Sequence, residues 1–464
     1  MTNRDLEKEV LRAIRPPKEE EDHINDVARR LIERVRASGV AEAMVVGSVA
    51  RNTWIQGDRD LDVFLLFDPA LPREKLEQEG LALARDSALA FTSTFTEKYA
   101  EHPYINASIE GLDVDLVPCY RVASATEIKS AVDRTPFHTR YIQDKIQPYI
   151  DEVLLLKKFA KAGGVYGSDQ MTEGFSGYLC ELLILHYGGF LPLLNAASSW
   201  RPGTLIDIEG HRAKEFSEPL IVVDPVDPAR NVSASVSLTR MFEFVELARG
   251  YIDQPEKSFF FPKKERIPGR EEIKGQIEMR GTHLFLVCFS TPPFIADIVV
   301  PQLRKSLDSI VALLDRNGFS VHRADCEMMT DRSILLFELM VDRMPNVTRH
   351  MGPPLWNGAN AEKFAAKYKD VRHIEYFSGP YIENGRYVMD IERRFTSAEE
   401  LLKSHALLEV SLGKHVKKSM EEYWDVRRGI DCWSEEFGPF IADFLNRASP
   451  LMRIRREGED SSPV

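Results

Sequence analysis

The run Asp60-Leu61-Asp62-Val63-Phe64-Leu65-Leu66-Phe67 sets two carboxylates two residues apart at the head of an otherwise apolar stretch. Only an extended strand puts i and i+2 on one side while burying the rest, so both acids project from one face of a strand. The pattern returns in Leu112-Asp113-Val114-Asp115-Leu116-Val117-Pro118, whose strict alternation marks a second strand. A neighbouring strand can carry Asp113 or Asp115 to the point that Asp60 and Asp62 already share; spacing leaves the choice between the two open. Three carboxylates meeting there would repel by about 4 kcal/mol per pair at 4 Å and an effective dielectric of 20, which a divalent cation relieves. Oxygen-only ligation selects magnesium or manganese over zinc. A lone D-x-D is common on exposed strands and is weak by itself.

Its setting strengthens it. Val45-Val46-Gly47-Ser48-Val49-Ala50-Arg51-Asn52-Thr53 places Gly-Ser after a buried strand and at the start of a helix, where free backbone N–H groups favour an anion such as a triphosphate. Before it, Ile24, Val27, Leu31, Ile32 and Val35 recur at helical spacing up to Gly39. After it, Leu81 to Phe95 reads as helical, and Ile105 to Ile109 with Leu112 to Pro118 as a hairpin around Gly111. Gly-Ser, D-x-D and a later acidic strand in this order are much more specific than any one of them.

Residues 151–251 turn helical, with EVLLLKKFAKAGG and GYLCELLILHYGGF ending on glycines and SLTRMFEFVELARGYI amphipathic. After FPKKERIPGREE come the strand LFLVCF, the helix PQLRKSLDSIVALLDRNG and strands near Ser320–Cys326 and Ser333–Val341, a β-α-β-β order that suggests a ferredoxin-like split unit. Gly385 to Ile391 adds a strand, and Ala398 to Leu408 and Val416 to Tyr423 add helices. The expected fold class is therefore α+β and multidomain.

Composition excludes several classes. The first thirty residues are charged throughout and no stretch is long and apolar enough to span a bilayer, which predicts a cytoplasmic chain without membrane association. Cys119, Cys180, Cys288, Cys326 and Cys432 stand singly, without the paired spacing of a zinc site or disulfide framework. A net charge of −12 argues against a surface that coats nucleic acid indiscriminately, though Lys157-Lys158, Lys263-Lys264 and Arg453 to Arg456 offer local basic runs.

At these motifs the chain resembles the polymerase β-type nucleotidyltransferase superfamily, and more closely the archaeal-type class I CCA-adding enzymes. The resemblance rests on GSVARNTW, DVFLLF, DLVPCY, SAVDRTPFH, GFSGYLCELL and VVDPVD-x-x-RNV, with MGPPLWNGAN and ENGRYVMDIERRFT farther along. It implies a nucleotidyltransferase head at 1–145, a helical neck at 146–260 that helps bind the nucleotide, and a tRNA-binding body and tail at 261–464. It also implies a reaction: addition and repair of the 3′-terminal CCA of tRNA from CTP and ATP, with release of pyrophosphate. Asp60, Asp62 and Asp115 would hold two Mg²⁺ ions, the V-D-x-V-P-C-Y context choosing Asp115 over Asp113. Ser48, Arg51, His138, Lys157 and Tyr166 would bind the nucleotide and Arg230 its base edge. His102 would lie near the growing 3′ end, and the chain would be a homodimer. Two ions so placed lower charge on both the attacking 3′-hydroxyl and the leaving pyrophosphate.

Read without the resemblance, the plainer roles are preferred: His138 a satisfied core or surface histidine, Lys157 a snorkelling helix lysine, Tyr166 a packing residue and Arg230 an ion-pair partner. The metal acids alone also suit a poly(A) polymerase or an oligoadenylate synthetase, which use of CTP as well as ATP discriminates. A small-molecule nucleotidyltransferase would not need so large a C-terminal half. A catalytically silent RNA-binding module would need one acid to be missing, and none is.

Overall fold

The computed structural model describes residues 3–99, 102–263, 266–368 and 376–456; Lys264 of the second basic run and the polar last eight residues lie outside them. The chain forms two compact units, one of residues 1–264 with 448–464, the other of 265–447.

The first unit opens with α1 (Asn3–Ile14) and α2 (Lys18–Ala37), followed by β1 (Glu42–Val46), the single turn α3 (Gly47–Arg51), β2 (Asp60–Phe67), α4 (Arg73–Leu89), β3 (Phe95–Tyr99), β4 (Pro103–Ile109) and β5 (Leu112–Tyr120). The strands form one sheet in the order β1-β2-β5-β4-β3, with β2 parallel to β5 and the other neighbours antiparallel. Ile24, Val27, Leu31 and Val35 of α2 and Leu76, Leu83 and Ala84 of α4 cover one face, against Leu61, Val63, Leu65, Val114 and Leu116. Strand alternation sends the acids to the opposite face, where Val46, Phe64, Leu66 and Cys119 form a small apolar floor. Glu110 and Gly111, both at positive φ, close the β4–β5 hairpin as expected. The helix expected at Leu81 to Phe95 starts earlier, after Pro72, and ends at Leu89; Phe95 begins an edge strand instead, because pairing with β4 outweighs local helical spacing.

Helices α5 (Thr135–Ile146), α6 (Ile150–Ala162), α7 (Gly177–Tyr187), α8 (Phe190–Ala197) and α9 (Leu238–Asp253) form a second core within the same unit. Phe159 sits at its centre, with the rings of Phe190, Phe244, Tyr251, Phe259 and Phe260 at 5.5–6.1 Å. The region is not purely helical: β6 (Thr204–Ile206), β7 (Leu220–Asp224) and β8 (Asp227–Asn231) form a sheet with β7 central. All five residues of β7 are buried, so it shows no alternation to read. Among the described residues no single helix is long and apolar enough to cross a membrane, and the apolar pair α7 and α8 is bent by 93° and packed into this core.

The second unit contains α10 (Arg270–Arg280), β9 (His283–Ser290), α11 (Ala296–Arg316), β10 (Val321–Met328), β11 (Arg332–Leu339), β12 (Val347–Pro354), α12 (Gly358–Lys367), β13 (Tyr376–Glu383), β14 (Arg386–Glu392), α13 (Ala398–Lys403), α14 (Lys414–Glu422), β15 (Trp424–Arg428) and α15 (Gly438–Leu445). Its main sheet, β10-β11-β9-β15, is antiparallel throughout, with the first strand beside the last, the ferredoxin-like arrangement that the β-α-β-β order announces. A three-stranded sheet, β12-β14-β13, is inserted before its final helices and strand. The last described element, α16 (Pro450–Arg455), packs on α9 of the first unit, so 261–464 does not form one compact body.

Candidate active site

Parallel pairing of β2 with β5 sets Asp60 opposite Asp113 and Asp62 opposite Asp115, so four carboxylates share one end of one face. Asp115, beside Asp62, is half-buried, while Asp113 is exposed. The Asn106 amide donates to Asp115 Oδ1 at 2.7 Å and also to Asp113, tying the two acids of β5 together. Burial, followed by repulsion from Asp115 and Asp60, pushes the Asp62 carboxyl up to about 6 against the opposing charge of Arg51. Burial raises Asp60 too, aided by Asp58 and Asp113, and raises Asp115 against the Asn106 hydrogen bond and Lys98.

Val46 pairs with Asp62, which brings the following residue, Gly47, onto its carboxylate. Gly47 lies at φ 71°, and a Cβ there would stand 2.3 Å from Asp62 Oδ2. The backbone turn and the acid therefore touch, as only glycine permits. The helix opened by Gly47 and Ser48 is one turn long, ended by Asn52 at φ 57°, so its dipole is smaller than a long helix would supply. Its first N–H groups still lack intrahelical acceptors.

The acids present an all-oxygen donor set of the kind that suits a hard divalent cation. Among the described residues no three acidic, histidine or cysteine side chains close around a point as a finished cage, so the acid face is open and needs further oxygens from substrate or water. The opposing charge that acts on Asp62 is Arg51, and that residue is engaged with Glu181. A carboxyl held up by unrelieved like charge fits a site built for a cation.

Arg51 turns inward and is buried. Its Nη1 donates to Thr139 Oγ1 at 3.2 Å, and its Nε lies 2.9 Å from Glu181 Oε2, off the hydrogen-bond axis, so the contact is one of charge. Lys157 is buried as well, its Nζ donating to the Thr53 carbonyl at 2.7 Å and to Thr53 Oγ1 at 3.3 Å, and lying 3.7 Å from Glu181 Oε1. Tyr166 comes to the same place from the loop after α6: a Cβ on Gly177 would lie 3.0 Å from its hydroxyl and 3.5 Å from Lys157 Nζ. Lys161, paired with Asp58 at 2.7 Å, stands over the Tyr166 ring. Ser48 lies on the α3 turn, three residues before Arg51 and ahead of the acid strand β2 in sequence.

A second cluster forms around Asp224, at the end of β7. His138 Nε2 and Arg230 Nη1 both meet Asp224 Oδ2, at 2.9 and 2.8 Å, and the Tyr178 hydroxyl donates to Oδ1 at 3.3 Å. The His138 ring stacks on Tyr178 with centroids 4.1 Å apart. Burial alone would raise Asp224, but the His138 hydrogen bond and charge, the Val226 N–H and Arg230 bring it down to about 2. Burial lowers His138 against the pull of Asp224.

Glu181, Asp224 and Asn106 are absent from the residues that the sequence singled out. Glu181 had a signal, a lone carboxylate inside the apolar Leu-Cys-Glu-Leu-Leu-Ile-Leu, where burial demands a partner; Asn106 had none. His102 donates a hydrogen bond from Nε2 to the Pro118 carbonyl and lines a cavity of about 260 Å³ with Leu71, Tyr120 and Lys129, on the α4 side of the sheet. The structure does not bring it to the acid face. Lys157 and Lys158 form no basic patch, Lys157 being buried and Lys158 standing 4.7 Å from the Phe261 ring.

Comparison with known proteins places these features in a family. Residues 27–138 match a family model described as nucleotidyltransferase domain, 151–261 one described as tRNA nucleotidyltransferase, second domain, and 280–429 one described as CCA-adding enzyme, C-terminal domain. A solved structure of CdnC from E. coli MS115-1 with ATP aligns with TM-score 0.44 and 18% identity over 56% of this chain and 93% of its own. The CCA-adding enzyme of Archaeoglobus fulgidus is 38% identical over 93% of this chain and 95% of its own, and that of Methanosarcina barkeri 42% over 90% and 92%. The relative in Methanoregula boonei, also a CCA-adding enzyme, is 61% identical over 96% of each chain, and with agreement on that scale from the acid strands through the C-terminal unit, this chain belongs to the CCA-adding enzymes, nucleotidyltransferases of tRNA.

Proposed function

We propose that the chain completes the 3′ end of tRNA by adding C, C and then A from CTP and ATP without a nucleic-acid template, using Asp60, Asp62 and Asp115 as the metal-holding acids. The observation that carries this reading is the β2–β5 register, which aligns those acids beside the Gly47-Ser48 turn. In the reaction the tRNA 3′-oxygen bonds to the α-phosphorus, the α–β phosphate bond breaks, pyrophosphate leaves, and the hydroxyl proton passes to water. Two magnesium ions, when bound, supply Lewis-acid neutralisation at the attacking and leaving oxygens. The chain's own residues position the rest. Ser48 and the α3 N–H groups face the phosphates, Arg51 and Lys157 attract the triphosphate by charge from behind the turn with Tyr166 packed beside them, and His138 with Arg230 meets the nucleoside, the arginine fork matching acceptors on cytosine or adenine.

In the same reading 1–145 acts as head, 146–260 as neck, and 261–464 carries most of the tRNA contacts. The family resemblance also supports a homodimer in the cytoplasm, which sedimentation of the full chain tests by its mass. The direct test of activity supplies tRNA lacking its CCA, magnesium, and labelled CTP or ATP alone and together, beside Asp62→Ala. Two C residues followed by one A, with no product from the variant, is the expected outcome; a long A tail would instead assign the site to a poly(A) polymerase.

A further inference from the structure

Four side chains from four parts of the first unit meet out of reach of solvent. Arg51 comes from α3, Thr53 from the loop after it, Lys157 from α6 and Glu181 from α7. Glu181 is fully buried, and both of its oxygens are used: Oε2 faces Arg51 at 2.9 Å, while Oε1 accepts from the Thr53 hydroxyl and lies 3.7 Å from Lys157 Nζ. A lone buried carboxylate is expensive, and so is a pair of buried cations; each requires the other.

The tally of charge is uneven. Two cations share one anion, so the cluster keeps one positive charge beneath the turn that carries Gly47 and Ser48. The off-axis contact between Arg51 Nε and Glu181 Oε2 leaves both atoms without a hydrogen bond, so Glu181 holds the guanidinium by charge while Nη1 is tied to Thr139 Oγ1. Gly177, at the start of α7, leaves room for the Tyr166 hydroxyl and Lys157 Nζ, which a Cβ would crowd.

We propose that Glu181 is a positioning residue for the nucleotide: its buried carboxylate, shared between Arg51 and Lys157, holds both cations behind the Gly47–Arg51 turn at the net single positive charge that receives the triphosphate. The inference rests on the reading that Arg51 and Lys157 serve nucleotide binding, here by their charge behind the turn. Glu181 itself touches no substrate and acts through its two partners. Because it serves the phosphates and not the base, its loss weakens CTP and ATP alike.

Burial drives Lys157 toward losing its proton, with Arg51 acting in the same direction, while Glu181, Cys180 and Asp58 oppose it. Tyr166 and Cys180, the other titratable groups packed there, are themselves held neutral by burial. Removing the glutamate charge takes away the largest opposing influence, so nucleotide binding falls off more steeply toward high pH than in the native chain.

The test compares Glu181→Gln, Glu181→Asp and Lys157→Met with the native chain, measuring KM for CTP, ATP and CCA-less tRNA, and kcat, from pH 6 to 9. Folding is checked by thermal melting. Glu181→Gln is expected to raise KM about tenfold for both nucleotides, increasingly so toward high pH, with KM for tRNA unchanged. Glu181→Asp, which keeps the charge, restores the native pH profile. If Lys157→Met raises nucleotide KM while folded Glu181→Gln stays within twofold of native, the inference is overturned and the nucleotide-site reading stands. If Lys157→Met leaves nucleotide KM unchanged, that reading falls and takes the inference with it. Should Glu181→Gln fail to fold, Thr53→Val decides, because it removes the hydroxyl that donates to Glu181 Oε1: a KM for both nucleotides about threefold higher supports the proposal, and an unchanged KM overturns it.

Discussion

Asp62 illustrates how a residue can be legible in type and illegible in energy. Its place in a D-x-D strand is evident from two-residue periodicity, but its raised proton affinity follows from the parallel partner strand that brings Asp115 alongside. A folded value near 6 lies above the unfolded carboxylate's 3.8. Below pH 4 both states are protonated and the group contributes nothing. As pH rises from 4 to 6 the unfolded chain ionises first, so folding of the metal-free protein loses stability, on the order of 3 kcal/mol by pH 7. Chemical denaturation of the chelated protein across that window should show the decline, and Asp62→Asn should flatten it; a variant with an unchanged slope would refute this account. Magnesium should raise the native chain's melting temperature more at pH 7.5 than at pH 5, because protons then compete less. Asp224 behaves oppositely, since its carboxyl is held down by His138 and Arg230, groups contributed by α5 and β8.

At the scale of elements, the β1–α3–β2 segment matters most, because a strand, a one-turn helix and the acid strand meet at a glycine. Gly47→Ala combines a positive φ with a methyl 2.3 Å from Asp62 Oδ2. We expect it to cost about 1–2 kcal/mol for the backbone alone, and to reduce transfer more than tenfold because the acid must move aside. Equal loss of tRNA binding would show damage beyond the site. The periodic elements α2 and β5 fall where their patterns put them, since each reports one buried face, while α11 starts at Ala296, five residues before the expected Pro301, which lies inside the helix. The missed strands share a cause. Phe95–Tyr99 became a strand through its pairing with β4, and Leu220–Asp224 is buried on both faces, so neither has a local pattern that identifies it.

For the whole molecule, the C-terminal segment ties sequence ends to a distant core. Leu451 of α16 fits against Gly250 of α9, where a Cβ would lie 2.3 Å from Leu451 Cδ1. Leu451→Ala should destabilise the first unit by about 2–4 kcal/mol, and a chain ending at residue 447 by more, while hydrogen exchange in 266–447 stays as in the full protein. Faster exchange confined to 266–447 would contradict the assignment of this segment to the first unit. Sequence by itself determined which residues could serve as metal acids, that they lie on strands, that a glycine turn precedes them, and that an α+β chain of several parts carries them, because each of these is written in spacing over fewer than ten residues. Only the tertiary structure decided that Asp115 stands beside Asp62, that Arg51 and Lys157 share the buried Glu181, that Asp224 gathers His138 and Arg230, and that His102 lies on the other side of the sheet. Those are contacts between segments far apart in the chain, and no local period encodes them: they follow from which apolar faces bury each other and from the need of every buried charge for a partner.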